Sequence, residues 1–191
     1  FEDGLMGTLN AQAQWNQLEK QIDIHAIAND GPDAITYIDG FVSPVKENID
    51  LAIQGRGTYV EFLHTYASSF LSNITGHAYG DLRLVGPLGE MDLLGKLVVN
   101  AQATVTALGT TYTLTQDTVD FVHSDILLHD VTARDIYQNT AQLNGGIHHD
   151  NLSDLTFDLD IKTDKLLAYS MPSDNGDIFH GTVFASGDVE I

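Results

Sequence analysis

The sequence predicts a mainly β fold: one large, elongated, curled sheet with a dry face and a wet face. Three observations predict it. Residues 178 to 191 alternate, with Phe179, Gly181, Val183, Ala185, Gly187, Val189 and Ile191 apolar or glycine and most positions between them polar. A period of two over that length is a long strand with one apolar side. The same alternation recurs at Leu82/Leu84, at Leu93/Leu97/Val99 and at Phe157/Leu159/Ile161. Finally, roughly a dozen such segments follow one another, past the number at which open twisted sheets usually curl.

Taken in order, Leu18, Lys20, Ile22, Ile24, Ala26 and Ala28 alternate with Glu19, Gln21, Asp23 and His25, which predicts a strand over 18–28. Asn29-Asp30-Gly31-Pro32 stops it, since Asp-Gly and Gly-Pro reverse a chain. A strand follows over 34–42, ended by Ser43-Pro44. Another covers Ile49, Leu51 and Ile53, ended by Gly55-Arg56-Gly57. Residues 58–71 then change period. Tyr59, Leu63, Tyr66 and Phe70 recur at spacings of four, three and four. That stripe predicts one amphipathic helix about 21 Å long, with Thr58 and Glu61 as its capping box. Its aromatic face is expected to pack on the sheet.

From Gly76 onward the pattern is all β. Gly76, Ala78, Gly80, Leu82, Leu84 and Gly86 share one face, and Leu93, Gly95, Leu97 and Val99 return on the same face after Pro87-Leu-Gly89. Glycines on the inner face permit bending. Later strands are expected over 102–108, 111–115, 118–123, 125–136, 139–149, 155–161 and 165–170. No fixed repeat length appears, which argues against a solenoid or propeller.

Composition restricts the function classes. The chain of 191 residues reads as a single β-rich unit, 1–191, and its last residues, Val-Glu-Ile, stop in mid-strand pattern, as expected of a fragment of a larger protein. Against 27 acidic residues stand 8 basic ones, a net charge of −19. That excess repels phosphate backbones, so nucleic acid is not an expected partner. No run of eighteen apolar residues occurs, and no cysteine, so no disulfide or thiolate chemistry.

Catalysis finds no positive support. His148-His149-Asp150 is the one histidine cluster, and neighbours on a strand point to opposite faces, so they do not readily share a metal ion. Asp158/Asp160 and Asn29/Asp30/Asp33 lack the calcium-loop spacing. No nucleophile elbow, Walker loop or dinucleotide fingerprint is present. Asn73-Ile-Thr and Asn151-Leu-Ser match the short glycosylation triplet. The expectation is a protein without cofactor or metal, and not an enzyme.

The strand-and-glycine order does resemble a known family. A helix leading into Ile74-Thr-Gly76-His-Ala78-Tyr-Gly80-Asp-Leu82-Arg-Leu84-Val-Gly86, then Leu93-x-Gly95-x-Leu97-x-Val99, is similar to the carboxy-terminal domain of the TamB family of AsmA-like proteins. Val119-Asp-Phe121, Ile126-x-Leu128, Ala141-x-Leu143-x-Gly145-x-Ile147 and the terminal Phe179-to-Val189 alternation look like its Bacteroidetes branch. The resemblance covers residues 48 to 191. It implies a β-taco, a long sheet folded around an apolar groove, in a periplasmic protein anchored in the inner membrane through a segment not included here. It also implies a role in carrying phospholipid between the membranes, and an Omp85-type (TamA-like) outer-membrane barrel as partner.

Physical chemistry agrees with that role, because an apolar trough removes the cost of wetting an acyl chain without any reaction. The expected groove lining is Ile22, Ile24, Ile49, Leu51, Leu82, Leu84, Leu93, Leu97, Val99, Phe157, Leu159, Ile161, Phe179, Val183 and Val189. The same residues would equally serve as ordinary sandwich or barrel core. Two other readings stand beside the conduit. One is an outer-membrane protein assembly module that pairs with barrel strands through an edge. The other is a surface β-sandwich binding module, for which Trp15 is the single candidate platform.

Overall fold

The computed structural model describes residues 7–29, 31, 33–150, 153–172 and 180–191. Eleven strands follow one another: β1 (Thr8–Asn16), β2 (Gln21–Asn29), β3 (Ile35–Ser43), β4 (Asn48–Tyr59), β5 (Leu71–Pro87), β6 (Asp92–Val105), β7 (Thr110–Val122), β8 (Asp125–Asp135), β9 (Thr140–Asp150), β10 (Ser153–Met171) and β11 (Gly181–Glu190). Each pairs antiparallel with the next, so order in the sheet is order in the chain. The sheet is curled and does not close.

One expected boundary moves at the amino-terminal end, and one strand is added. Residues 17–20 form a turn rather than the start of a strand, with Lys20 at φ 58° and its N–H donating to the Asn16 carbonyl at 2.9 Å. β1 precedes that turn and pairs with all of β2. The stop after Asn29 falls where expected, although Asp30 and Pro32 lie outside the described residues.

The helix expected over 58–71 is replaced by something much shorter. β4 runs on through Thr58 and Tyr59, which pair with Ala78 and His77. Only a 3-10 turn, Glu61–Leu63, and one α-helical turn, α1 (His64–Ala67), follow before β5 begins. The physical reason is the composition of the stripe. Thr, Val, Tyr and Phe lose rotamer freedom in a helix and suit a pleated ladder, where Tyr59 packs its ring on His77 with centroids 4.6 Å apart. The expected caps are used elsewhere. The Thr58 hydroxyl lies 2.7 Å from that of Thr36, and the Glu61 carboxylate accepts the Gly76 N–H at 3.2 Å.

Several expected pairs of short strands are single long ones. The segments over 111–115 and 118–123 are both β7, and those over 155–161 and 165–170 are both β10. Bulges join them. Gln116, at φ 57°, marks the register shift between β6 and β7. Asp130, at φ 52°, marks the one between β8 and β9. Glycine is required at Gly145, whose φ of +126° and close facing strand would put a Cβ 2.0 Å from the Asp158 carbonyl oxygen.

Asp135 is the staple at one end of the sheet. Its buried carboxylate accepts the N–H of Tyr137 at 2.8 Å, the N–H and side-chain amide of Asn139 at 2.9 and 2.8 Å, and the N–H of Leu167 on β10 at 2.8 Å. One side chain thus shapes the β8–β9 turn and ties it to β10. Burial works to raise its pKa, but the hydrogen bonds from Asn139, Leu167 and Tyr137 outweigh it and hold the group below the ordinary carboxylate value. A depressed folded pKa gives stability that is fully present above the unfolded value of about 3.9 and is lost as pH falls through the folded one. Urea unfolding should therefore show Asp135→Asn destabilised at neutral pH, by roughly 1–3 kcal/mol for buried donors left unpaired. The gap to the native protein should shrink as pH is lowered below 4. A gap that stays constant with pH would refute the staple.

Candidate functional site: the apolar face of the sheet

Directly opposed residues of an antiparallel pair point to the same side, so the ladder decides which side chains share a face. One row runs Ile24, Gly40, Leu51, Leu84 and Leu93 from β2 to β6. Beside it runs Ile22, Val42, Ile49 and Gly86. A third passes Ile53, Leu82, Gly95, Phe121, Ile126, Ile147 and Phe157 from β4 to β10. A fourth passes Gly80, Leu97, Val119, Leu128, Gly145 and Leu159. Val99 lies two residues beyond Leu97 on β6, opposite Ala78. Ile161 lies opposite Leu143 and Val189, and Val183 has the same parity as Val189 on β11.

The register thus brings to one face every expected lining residue that is described, and none of the four rows carries a charge, although Asp117 stands opposite Val99 on β7. Phe179 lies outside the described residues. Sequence reasoning passed over further members of the face. Leu9, Ala11, Ala13 and Trp15 of β1 stand opposite Ala28, Ala26, Ile24 and Ile22. Their signal was the alternation in Leu9-x-Ala11-x-Ala13-x-Trp15, diluted by small alanines.

Coverage of this face is uneven. Ile49 is buried, but Ile22, Ile24, Leu51, Leu82, Leu84, Leu93, Leu97, Val99, Leu159 and Ile161 are only half-buried. Phe157, Val183 and Val189 are exposed at 39%, 53% and 49%. Side chains of a two-layer core would be closed off on both sides.

Ala26 and Ala28 of β2 and Thr36 of β3 are buried, and two further places are covered. The segment between β4 and β5 lays Val60 and Ala67 against Ala78 and Ile74, with Leu97, Ala101 and Ala103 packed around them. Its Phe70 ring meets Phe157 of β10 edge-on, centroids 5.5 Å apart. The second place is the end held by Asp135, where Val131, Ala133, Ala141, Leu166 and Leu167 are buried. There the Tyr112 hydroxyl of β7 donates to the Leu167 carbonyl at 2.7 Å and the Ser170 N–H of β10 donates to the Leu108 carbonyl at 2.9 Å. Burial pushes the Tyr112 phenol up from its ordinary pKa, which keeps the proton on that donor. These contacts of β7 and the turn before it with β10, three strands on, mark the curl.

The other face is polar and laced by cross-strand pairs. Arg83 forks onto Asp50, its Nε 2.7 Å from Oδ1, and holds that carboxyl below the usual range. Lys96 meets Asp120 at 2.8 Å, His123 meets Asp92 at 2.6 Å, and His25 meets Asp39. Exposed pairs of this kind contribute at most about 1 kcal/mol each. The adjacent histidines part as expected: His148 meets Asp125 on the polar face, whereas His149 is buried. Among the described residues no three His, Asp or Glu converge as a metal ion requires, and no helix is long and apolar enough to cross a membrane. Asp158 and Asp160 are exposed on the polar side of β10. Trp15, 45% exposed, stands on the apolar face at the sheet edge, its indole N–H donating to Gln17 at 3.0 Å.

Comparison with protein-family models, with curated proteins and with solved structures finds no match for this chain. The functional reading therefore rests on the face itself.

Truncation separates its covered and open parts. Leu167→Ala, at a fully buried site, should lower unfolding free energy by about 2–5 kcal/mol. Leu51→Ala, on the open rows, should cost about 1 kcal/mol or less and reduce binding of an apolar fluorescent dye to the folded protein. Equal costs at the two sites would mean that the open rows are packed core.

Proposed function

We propose that the open apolar face holds phospholipid acyl chains and lets them slide along it, as one segment of a TamB-like protein that carries lipid through the periplasm between inner and outer membranes. In this reading the curl makes the face a groove, the β-taco form, and an Omp85-type outer-membrane barrel receives the lipid. The chain works without chemistry, metal or cofactor. The observation that carries the proposal is the set of charge-free rows from β2 to β6 whose aliphatic side chains are left half-buried.

Magnitudes favour a lipid occupant. Wetting costs about 0.8 kcal/mol per methylene, so a sixteen-carbon tail carries on the order of 10 kcal/mol. Rows without hydrogen-bonding side chains lower that cost and fix no single position, which is what passage requires. The four rows span three intervals of two residues, roughly 20 Å along the strands, ample for one tail. The short turn at 61–67 fills part of the face instead of lying along it, so passage runs beside it over β2 to β6.

One further observation keeps the assembly reading in view: among the described residues the sheet does not close, and β1 and β11 are its outermost strands, the kind of place where a barrel strand adds. Native mass spectrometry of freshly purified protein, together with photocrosslinkers at Leu84 and Leu97, separates the two. Co-purified phospholipid, lost in Leu84→Asp and Leu97→Asp, is the expected outcome. Crosslinks from β11 to barrel precursors, with no lipid at the face, would overturn the conduit in favour of assembly.

A further inference from the structure

We propose that the open face selects its lipid by charge, accepting phospholipids of zero net charge and excluding anionic ones. The inference rests on the acyl-chain reading of that face and adds which headgroup it admits. A tail can lie on the rows, but a phosphate cannot, because a charge buried among aliphatic side chains costs more than the tail gains there. The headgroup therefore stays in water at the end of the rows. One end is covered, where Val60 and Ala67 pack against Ile74 and Ala78. The other runs out into three hairpin connections, 17–20, 44–47 and 88–91. Ile22, Val42, Ile49 and Gly86 each stand two residues inside one of them. These connections are the rim at which a headgroup emerges.

Charges at this rim are unbalanced. Glu47 and Glu90 sit in the connections themselves and are exposed. Asp23 follows Ile22 on the outer side of β2. Its carboxylate accepts the side-chain amides of Gln21 at 2.7 Å and Asn16 at 3.0 Å, neutral donors that lower its pKa and leave its charge in place. Against these acids the rim offers Lys20 and Lys46, and Lys46 is already engaged by Glu19 at 3.1 Å. Farther along the polar face Arg83 and Lys96 are taken by Asp50 and Asp120. An anionic headgroup at the rim thus meets Asp23, Glu47 and Glu90 with Lys20 alone to offset them, on a chain of net charge −19. A zwitterionic headgroup carries its own cation beside its phosphate and feels little net repulsion.

Uptake from vesicles of phosphatidylcholine and phosphatidylglycerol, equimolar and with identical acyl chains, tests the selection. Mass spectrometry of the re-isolated chain reads the ratio of the two lipids bound. Both come from the same vesicle, so repulsion of the whole vesicle does not enter that ratio. At about 0.01 M salt, where charges act over about 30 Å, phosphatidylcholine should be preferred about fivefold or more. At about 1 M salt, where the range is about 3 Å, the ratio should fall toward one. Glu47→Lys together with Glu90→Lys should abolish the preference at low salt, circular dichroism confirming an unchanged fold. Equal uptake of the two lipids by the native chain at low salt overturns the charge selection and leaves the acyl-chain reading standing. So does a preference that neither salt nor the double substitution reduces. Uptake of neither lipid overturns both.

Discussion

Register is the constraint on which the rest of this molecule depends. The side-chain period of a strand is two, so a slip of one residue anywhere between neighbours would turn a whole strand's apolar set to the wet side. Ten successive pairings hold that set together from β1 to β11. Bulges keep it aligned where the sequence changes phase. On β7, Tyr112 and Leu114 are even-numbered and Val119 and Phe121 odd, yet all belong to the apolar face, because the bulge at Gln116 absorbs one residue. On β8, Asp130 does the same between Leu128 and Val131. Gly57 and Asn73 stand at the shifts of β4 and β5, with φ 73° and 50°. Bulges also add local twist, so the devices that preserve the dry face help to curl it.

This explains which parts of the fold the sequence displayed and which it hid. Uninterrupted alternation, as over residues 76–86 of β5 or at Phe157/Leu159/Ile161, was legible, and so was its common apolar face. Phase breaks were not, because a residue out of step looks the same in sequence whether the strand ends or bulges. Hence β7 and β10 read as two strands each. β6 was divided for a different reason: Ala101 and Ala103 keep the phase but bring little apolar weight. β1 was missed because its alternation rests on Leu9, two alanines and Trp15 among amides. The helical stripe at 58–71 misled because spacing alone was weighed. Tyr59 had partners on β5 that no short-range pattern reveals, and two β-branched residues, Thr58 and Val60, already leaned toward the ladder.

The candidate site was legible in its members but not in its openness. Alternation says that Ile24, Leu51 and Leu84 share a side; it cannot say whether a second layer covers them. That depends on Phe70 meeting Phe157, and on Tyr112 and Asp135 reaching Leu167, contacts between residues 87, 55 and 32 positions apart. Long-range side-chain contacts of this kind leave no local signature.

An open apolar face has to be tolerated by the rest of the fold. Half-buried leucines on β4 to β6 give back only part of the transfer free energy that full burial would give. The sheet is held instead by its continuous backbone ladder, by the small cluster around Val60 and Ala78, and by the end where Asp135 and Tyr112 bind β10. All three leave the rows from Ile22 to Leu93, Ile49 apart, only half-buried. Natural folds depart from full packing chiefly where something else is to be bound, and stabilise such places from their surroundings. The acidic residues serve the same arrangement from the other side. They pair across strands at Arg83–Asp50 and Lys96–Asp120, and their excess keeps copies apart wherever the surface is charged. A sheet with one greasy side would otherwise associate indiscriminately. Surplus negative charge restricts such contact to the uncharged dry face.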